Sequence, residues 1–203
     1  MRDVRLAPGA MLLRGFAEPF ATPCVTALRR IVEVAAFRHM VTPGGHQMLV
    51  AMTNCGTAGW VTDRTGYRYD SHDPETGRPW PAMPGVFADL AARAAARAGF
   101  DGFAPDGCLI NRYEPGARLS FHQDKDERDF SASIVFVSLG LPAVFLFGDC
   151  VDGPEVPRAA VAWGRGRLGR SRPTSLSRRS AARAGTPPPD GWSRINLTFR
   201  RAA

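Results

Sequence analysis

The spacing of apolar residues changes along the chain, and the change divides it into helical and extended parts. In ATPCVTALRRIVEVAAF, residues 21 to 37, Ile31, Val34 and Ala35 recur at helical spacing. VFADLAARAAARA, residues 86 to 98, is again amphipathic and is closed by Gly99, so a second helix is predicted there. Between them GWVTDRTGYRYDSHDPETGRPWPAMP, residues 59 to 84, is rich in Gly, Pro and aromatic residues and reads as hairpin and loop. From residue 107 the period falls towards two. CLINRYEPGARLSFHQD and SASIVFVSLGLPAVFLF are β-branched and aromatic runs broken at Pro-Gly and Gly-Leu-Pro, the pattern of antiparallel strands, and RINLTFR at 194 to 200 is one more strand. Helices first and strands afterwards predict an α+β domain built on a sheet sandwich, with residues 107 to 148 and 194 to 200 in adjacent strands.

Composition narrows the class. At 203 residues, 44% apolar and 22% charged, the chain fits a single globular domain over 1–203 with room for a substantial core. No apolar run approaches a membrane span, and MRDVRLAPGAMLLRGF lacks a secretory cleavage pattern, so a cytoplasmic protein without a membrane partner is expected. Cys24, Cys55, Cys108 and Cys150 form no CxxC pair, which points to buried apolar side chains and not to a zinc or redox motif. The net charge of +7 invites a nucleic-acid reading, but it is unevenly spread. Residues 149 to 192 carry eight Arg against Asp149, Asp152, Glu155 and Asp190, and show almost no apolar periodicity. Irregular chain is predicted for most of that segment.

Candidate chemistry begins at SFHQDKDE, residues 120 to 127. His122 and Asp124 stand two apart on an alternating stretch, so on a strand both would leave the same face, as two of the three ligands of a two-His, one-carboxylate facial iron site. On RINLTFR, period two puts Arg194, Asn196, Thr198 and Arg200 on one face, with Thr198 small enough to leave it open. Two guanidinium forks and an amide suit a dicarboxylate.

The strings MVTPGGHQMLVAMTNCGTAGW, PWPAMP, LINRYEPGARLSFHQDKDE, VSLGLPAVFLFG and RINLTFR, taken in order over residues 40 to 148 and 194 to 200, resemble the AlkB family of Fe(II)- and 2-oxoglutarate-dependent dioxygenases. The resemblance implies a double-stranded β-helix, or jelly roll, with N-terminal helices and a nucleotide-recognition hairpin lid. It implies oxidative demethylation of N-alkylated bases in single-stranded DNA or RNA, using O2, by a monomer. His122 and Asp124 would bind iron, and Asn111, Tyr113, Arg194, Asn196 and Arg200 would hold 2-oxoglutarate. Trp60 and Tyr67, flanking a predicted turn beside Gly56, Gly59 and Gly66, would stack on an extruded base from an exposed hairpin. Lys125 and Asp126 would face the base and phosphate side. Two other readings share these residues: a jelly-roll module that binds damaged nucleic acid without turnover, and a small-molecule oxygenase of the same fold.

The family's second histidine lies between the HxD pair and the NLTFR strand, yet none of the four histidines follows His122; His39, His46 and His72 all precede it. Codon arithmetic offers a reason. With codons displaced by one base, AWGRGRLGRSRPTSLSRR at 162 to 179 permits HGDVVVWGGPARLLYHGV, and PPPD at 187 to 190 permits HPLT, before Arg194 resumes in register. The YH of the displaced reading falls at Leu176 and Ser177. Residues 149 to 192 therefore read as a frameshifted segment, the competing reading being a true Arg-rich insert. As written, the chain offers a two-ligand iron site, because a neutral serine hydroxyl is a poor substitute for imidazole.

Overall fold

The computed structural model describes residues 3–117, 119, 132–141, 144–147, 159–163, 167–170 and 193–202. Strands β1 (Val4–Ala7) and β2 (Ala10–Arg14) form an opening hairpin, and a single 3-10 turn, Glu18–Phe20, leads into helix α1 (Ala21–Val34). Strands β3 (Ala51–Gly56), β4 (Gly59–Asp63) and β5 (Gly66–Asp70) follow, then helix α2 (Gly85–Arg97). The remaining strands are β6 (Gly107–Tyr113), β7 (Ile134–Leu139), β8 (Val144–Phe147), β9 (Ala159–Trp163), β10 (Arg167–Arg170) and β11 (Arg194–Arg200).

Seven strands make one sheet in the order β1-β2-β9-β7-β11-β6-β3. β11 lies between β6 and β7, antiparallel to both, as predicted for residues 107 to 148 and 194 to 200. The antiparallel reading of 131 to 147 needs correcting in part. β7 also pairs parallel with β9, and β8 leaves the large sheet to pair parallel with β10. Within 149 to 192 the described residues form β10 and β9, and β9 joins the large sheet between β2 and β7. Its sequence, AAVAW, is a short uncharged run with a β-branched and an aromatic residue; the surrounding arginines hid it in any average over the segment.

One face of the large sheet packs on the helices. Period two directs Ile195, Leu197 and Phe199 of β11, Cys108 and Ile110 of β6, Cys55 of β3 and Val135, Val137 and Leu139 of β7 into a single core with α1 and α2. Phe199 meets Phe87 of α2 edge to face at 5.8 Å. The α1 stripe is Cys24, Leu28 and Ile31. Val34, expected on that stripe, is 66% exposed, because the helix ends at that residue and Ala35 is already extended. α2 ends as Gly99 predicts: Gly99 takes φ +89° and the Phe100 N–H donates to the Ala95 carbonyl, the Schellman closure.

Cys24, Cys55 and Cys108 are buried free thiols, but they are not isolated. Cys55 and Cys108 are directly opposed on β3 and β6. Burial, then the neighbouring thiol of Cys55, pushes the Cys108 thiol well above its ordinary value. Cys150 lies outside the described residues.

Candidate active site

The other face of the large sheet carries the polar residues. β11 is buried along its whole length, so its even positions turn away from the helix core into a second enclosed space. Strand register sets their neighbours: Arg194 stands beside Tyr113, Asn196 beside Asn111 and Thr198 beside Leu109. Directly opposed residues share a face, so Arg194, Asn196, Arg200, Asn111 and Tyr113 lie on one face of the sheet.

Arg194 and Arg200 are each only 8% exposed, so two guanidiniums lie buried on this face. The Arg194 guanidinium lies over the Tyr113 ring, 5.5 Å from its centroid. Burial lowers the pKa of Arg194 while the Tyr113 phenol opposes the shift; burial raises that of Tyr113 while Arg194 opposes it. The guanidinium stays charged at any ordinary pH. Thr198 does more than leave space: its hydroxyl donates to Asn196 Oδ1 at 2.9 Å, and Asn196 Nδ2 donates to the Val137 carbonyl at 3.4 Å. The amide plane is thereby fixed, with one N–H of Nδ2 left for a ligand. Asn111 Oδ1 is buried with no hydrogen-bond partner among the described residues. A flip of that amide puts an N–H donor at the same point, so this end of Asn111 can serve a carboxylate.

These residues fit 2-oxoglutarate. Six residues along a strand separate the Arg194 and Arg200 Cα atoms by about 20 Å, a span that two arginine side chains and a five-carbon dicarboxylate are long enough to bridge. Each guanidinium can then take one carboxylate as a fork, with the amides of Asn111 and Asn196 between.

Iron is different. His122 and Asp124, with Lys125 and Asp126, lie outside the described residues, and among the described residues no group of three His, Cys, Asp or Glu is placed to hold a metal. A facial site needs two His and one carboxylate, and no histidine follows His122.

β4 and β5 pair as a hairpin, as the Gly-rich stretch predicted, where the resemblance implies a lid, with Trp60 and Tyr67 on one face. Their rings stack on each other at 5.7 Å, inclined by 26°, and Tyr67 is half exposed. The glycines need a correction. Gly66, near the tip, faces open space, but Gly56 and Gly59 sit at a crowded root. A Cβ on Gly56 would strike the Asp106 carbonyl, and one on Gly59 would come within 2.5 Å of Trp80 Nε1. At that root Asn54, which the sequence reading did not single out, contacts both backbone groups of Trp60. Its signal was a residue of low strand propensity inside an otherwise strand-like run, before a glycine. The lid's base is apolar: Val50, Met52, Val61 and Trp80 cluster there, with Trp60, Leu109 and Tyr113 packed against them.

The family model of the 2OG-Fe(II) oxygenase superfamily matches residues 9–181. An alpha-ketoglutarate-dependent dioxygenase AlkB of Salmonella typhimurium is 50% identical over 98% of this chain and 92% of its own. The chain belongs to the AlkB family of 2OG-Fe(II) oxygenases. The Escherichia coli AlkB is 49% identical over 97% of this chain and 92% of its own, and an AlkB homolog of Caulobacter vibrioides 38% identical over 88% and 80%. The solved structure of OsALKBH1 superposes with a TM-score of 0.61 at 23% identity, covering 87% of this chain and 90% of that one, and so shares the fold. The AlkB-family chain accordingly has the α+β jelly-roll architecture, and its family's chemistry uses Fe(II) and 2-oxoglutarate. Among the described residues no helix is long and apolar enough to cross a membrane.

Proposed function

We propose that this chain is built to demethylate N-alkylated bases of single-stranded DNA or RNA by oxidation, as a cytoplasmic monomer. One observation carries the reading: on β11 two buried guanidiniums and an oriented amide share a face with Asn111 and Tyr113, in a chain about half identical to bacterial AlkB dioxygenases. Arg194 and Arg200 bind the two carboxylates of 2-oxoglutarate, Asn196 and Asn111 orient it, and Tyr113 backs Arg194. His122 and Asp124 are the iron ligands, Lys125 and Asp126 line the substrate side, and Trp60 offers a ring to the base. When bound together, Fe(II) and 2-oxoglutarate would let O2 act as the oxidant: one oxygen atom would end in succinate as carbon dioxide leaves, and the other would hydroxylate the alkyl carbon, which departs as an aldehyde. Opposed Cys55 and Cys108 that stay free thiols favour a reducing compartment.

No histidine follows His122, and the frame account offers the reason: residues 149 to 192 are displaced by one base, the family-like regions 40–148 and 194–200 are in register, and the chain as written binds iron weakly. Ser177→His alone should not rescue it, because a ligand on a displaced strand is misaimed. The test expresses the chain as written beside a version with the frame restored from about codon 149 to codon 192, titrates Fe(II) with 2-oxoglutarate, and follows succinate release and repair of a methylated single-stranded oligonucleotide. Activity confined to the restored version supports both the function and the frame. Equal activity from both contradicts the frame account, and inactivity of both contradicts the substrate assignment.

A further inference from the structure

Trp60 is held in the hairpin by two hydrogen bonds to a single side chain and by one ring contact. Asn54 projects from β3 on the same face as Leu109, its cross-strand neighbour, and is fully buried. Its Oδ1 accepts the Trp60 N–H at 3.1 Å, and its Nδ2 donates to the Trp60 carbonyl at 3.0 Å. A side-chain amide thus takes the place of a pairing strand at the one residue whose ring the site needs. Gly59 makes the approach possible, because a Cβ there would lie 2.8 Å from Asn54 Cβ and collide with the Trp80 ring. On the outer side Tyr67 covers Trp60 directly. Rings 5.7 Å apart at 26° are in contact and leave no room for a base between them.

We infer that Asn54 is a positioning residue for Trp60 and that Tyr67 backs the Trp60 ring, so the lid offers a base one preset face and not an aromatic sandwich. The inference rests on the nucleic-acid reading for its ligand and on geometry alone for its clamp. It also reassigns Tyr67 from a base contact to a support. A buried amide bridging both polar groups of one residue is costly to break, since removal leaves a donor and an acceptor unsatisfied. Presetting the ring removes an ordering cost from base binding.

The experiment uses the full chain and three readouts: hydrogen exchange at the Trp60 amide, affinity for a single-stranded DNA oligonucleotide carrying one N1-methyladenine, and affinity for 2-oxoglutarate. Asn54→Ala should speed exchange at Trp60 and weaken the oligonucleotide by about tenfold, with 2-oxoglutarate binding changed less than about twofold. Asn54→Asp keeps the acceptor for the Trp60 N–H and loses the donor to its carbonyl. It should retain protection at Trp60 yet still weaken the oligonucleotide, and it carries the test if Asn54→Ala does not fold. Tyr67→Phe should bind the oligonucleotide like the parent, while Tyr67→Leu should weaken it. Fast exchange at Trp60 in the parent chain, or unchanged exchange in Asn54→Ala, would overturn the clamp. Equal losses in Tyr67→Phe and Tyr67→Leu would overturn the backing role, since a hydroxyl contact would then explain them. Failure of the parent to prefer the methylated oligonucleotide would count against the proposed substrate, while exchange at Trp60 would still decide the clamp.

Discussion

Arg38 meets Asp73 at 2.6 Å, reaches Glu75 at 3.3 Å and lies over the Trp80 ring, so one side chain ties the segment before β3 to the loop after the lid. Burial acts to raise the Asp73 carboxyl, but the Arg38 guanidinium and the Glu75 amide outweigh it and hold the pKa below its ordinary value. A carboxyl depressed on folding contributes stability that is complete above its unfolded value, near 4, and is lost as pH falls through the folded value. Melting temperature followed from pH 7 to pH 2 should therefore fall more steeply in the parent than in Asp73→Asn, and parallel curves would remove Asp73 from the account. Arg38→Met should cost about 1–3 kcal/mol at pH 7, measured by urea unfolding, because it leaves a nearly buried carboxylate without its main partner. None of this pairing was legible in the sequence, where Arg38 and Asp73 are two ordinary charges. The shared face of Arg194, Asn196 and Arg200 was legible, because strand period two sorts them onto one side whatever the rest of the fold does. Asn54 was not, since its role depends on a hairpin folding back onto its strand.

β11 shows how one element serves two ends. Its odd residues anchor the helix core and its even residues build the cationic face, so core damage should propagate to binding. Phe199→Ala removes the ring that meets Phe87 and should destabilise the fold by about 3–5 kcal/mol in chemical unfolding. A loss under about 1 kcal/mol would show that the edge-to-face pair contributes little. α2 gives a smaller test: Gly99→Ala forces a Cβ into the left-handed region and should cost about 1 kcal/mol. Both helices were legible from apolar period and the closing glycine, although Val34 shows that a period alone does not say where burial stops. β1, β2 and β9 were not, being runs of four or five residues, too short to show a period of their own. They become strands by pairing with one another and with β7.

For the whole molecule, the sheet order joins the first strands of the chain to β9 and β9 to β7, contacts far apart in sequence that no local pattern encodes. That topology sets the polar face of β11 beside the lid root, and the central claim is that this face is the 2-oxoglutarate site of an AlkB-family enzyme. The direct measurement is calorimetric titration of 2-oxoglutarate into the full chain and into Arg194→Ala and Arg200→Ala. Saturable one-site binding to the parent, weakened on the order of tenfold or more in each variant and only partly restored by lysine, is the predicted result. Binding that survives both substitutions unchanged would contradict it.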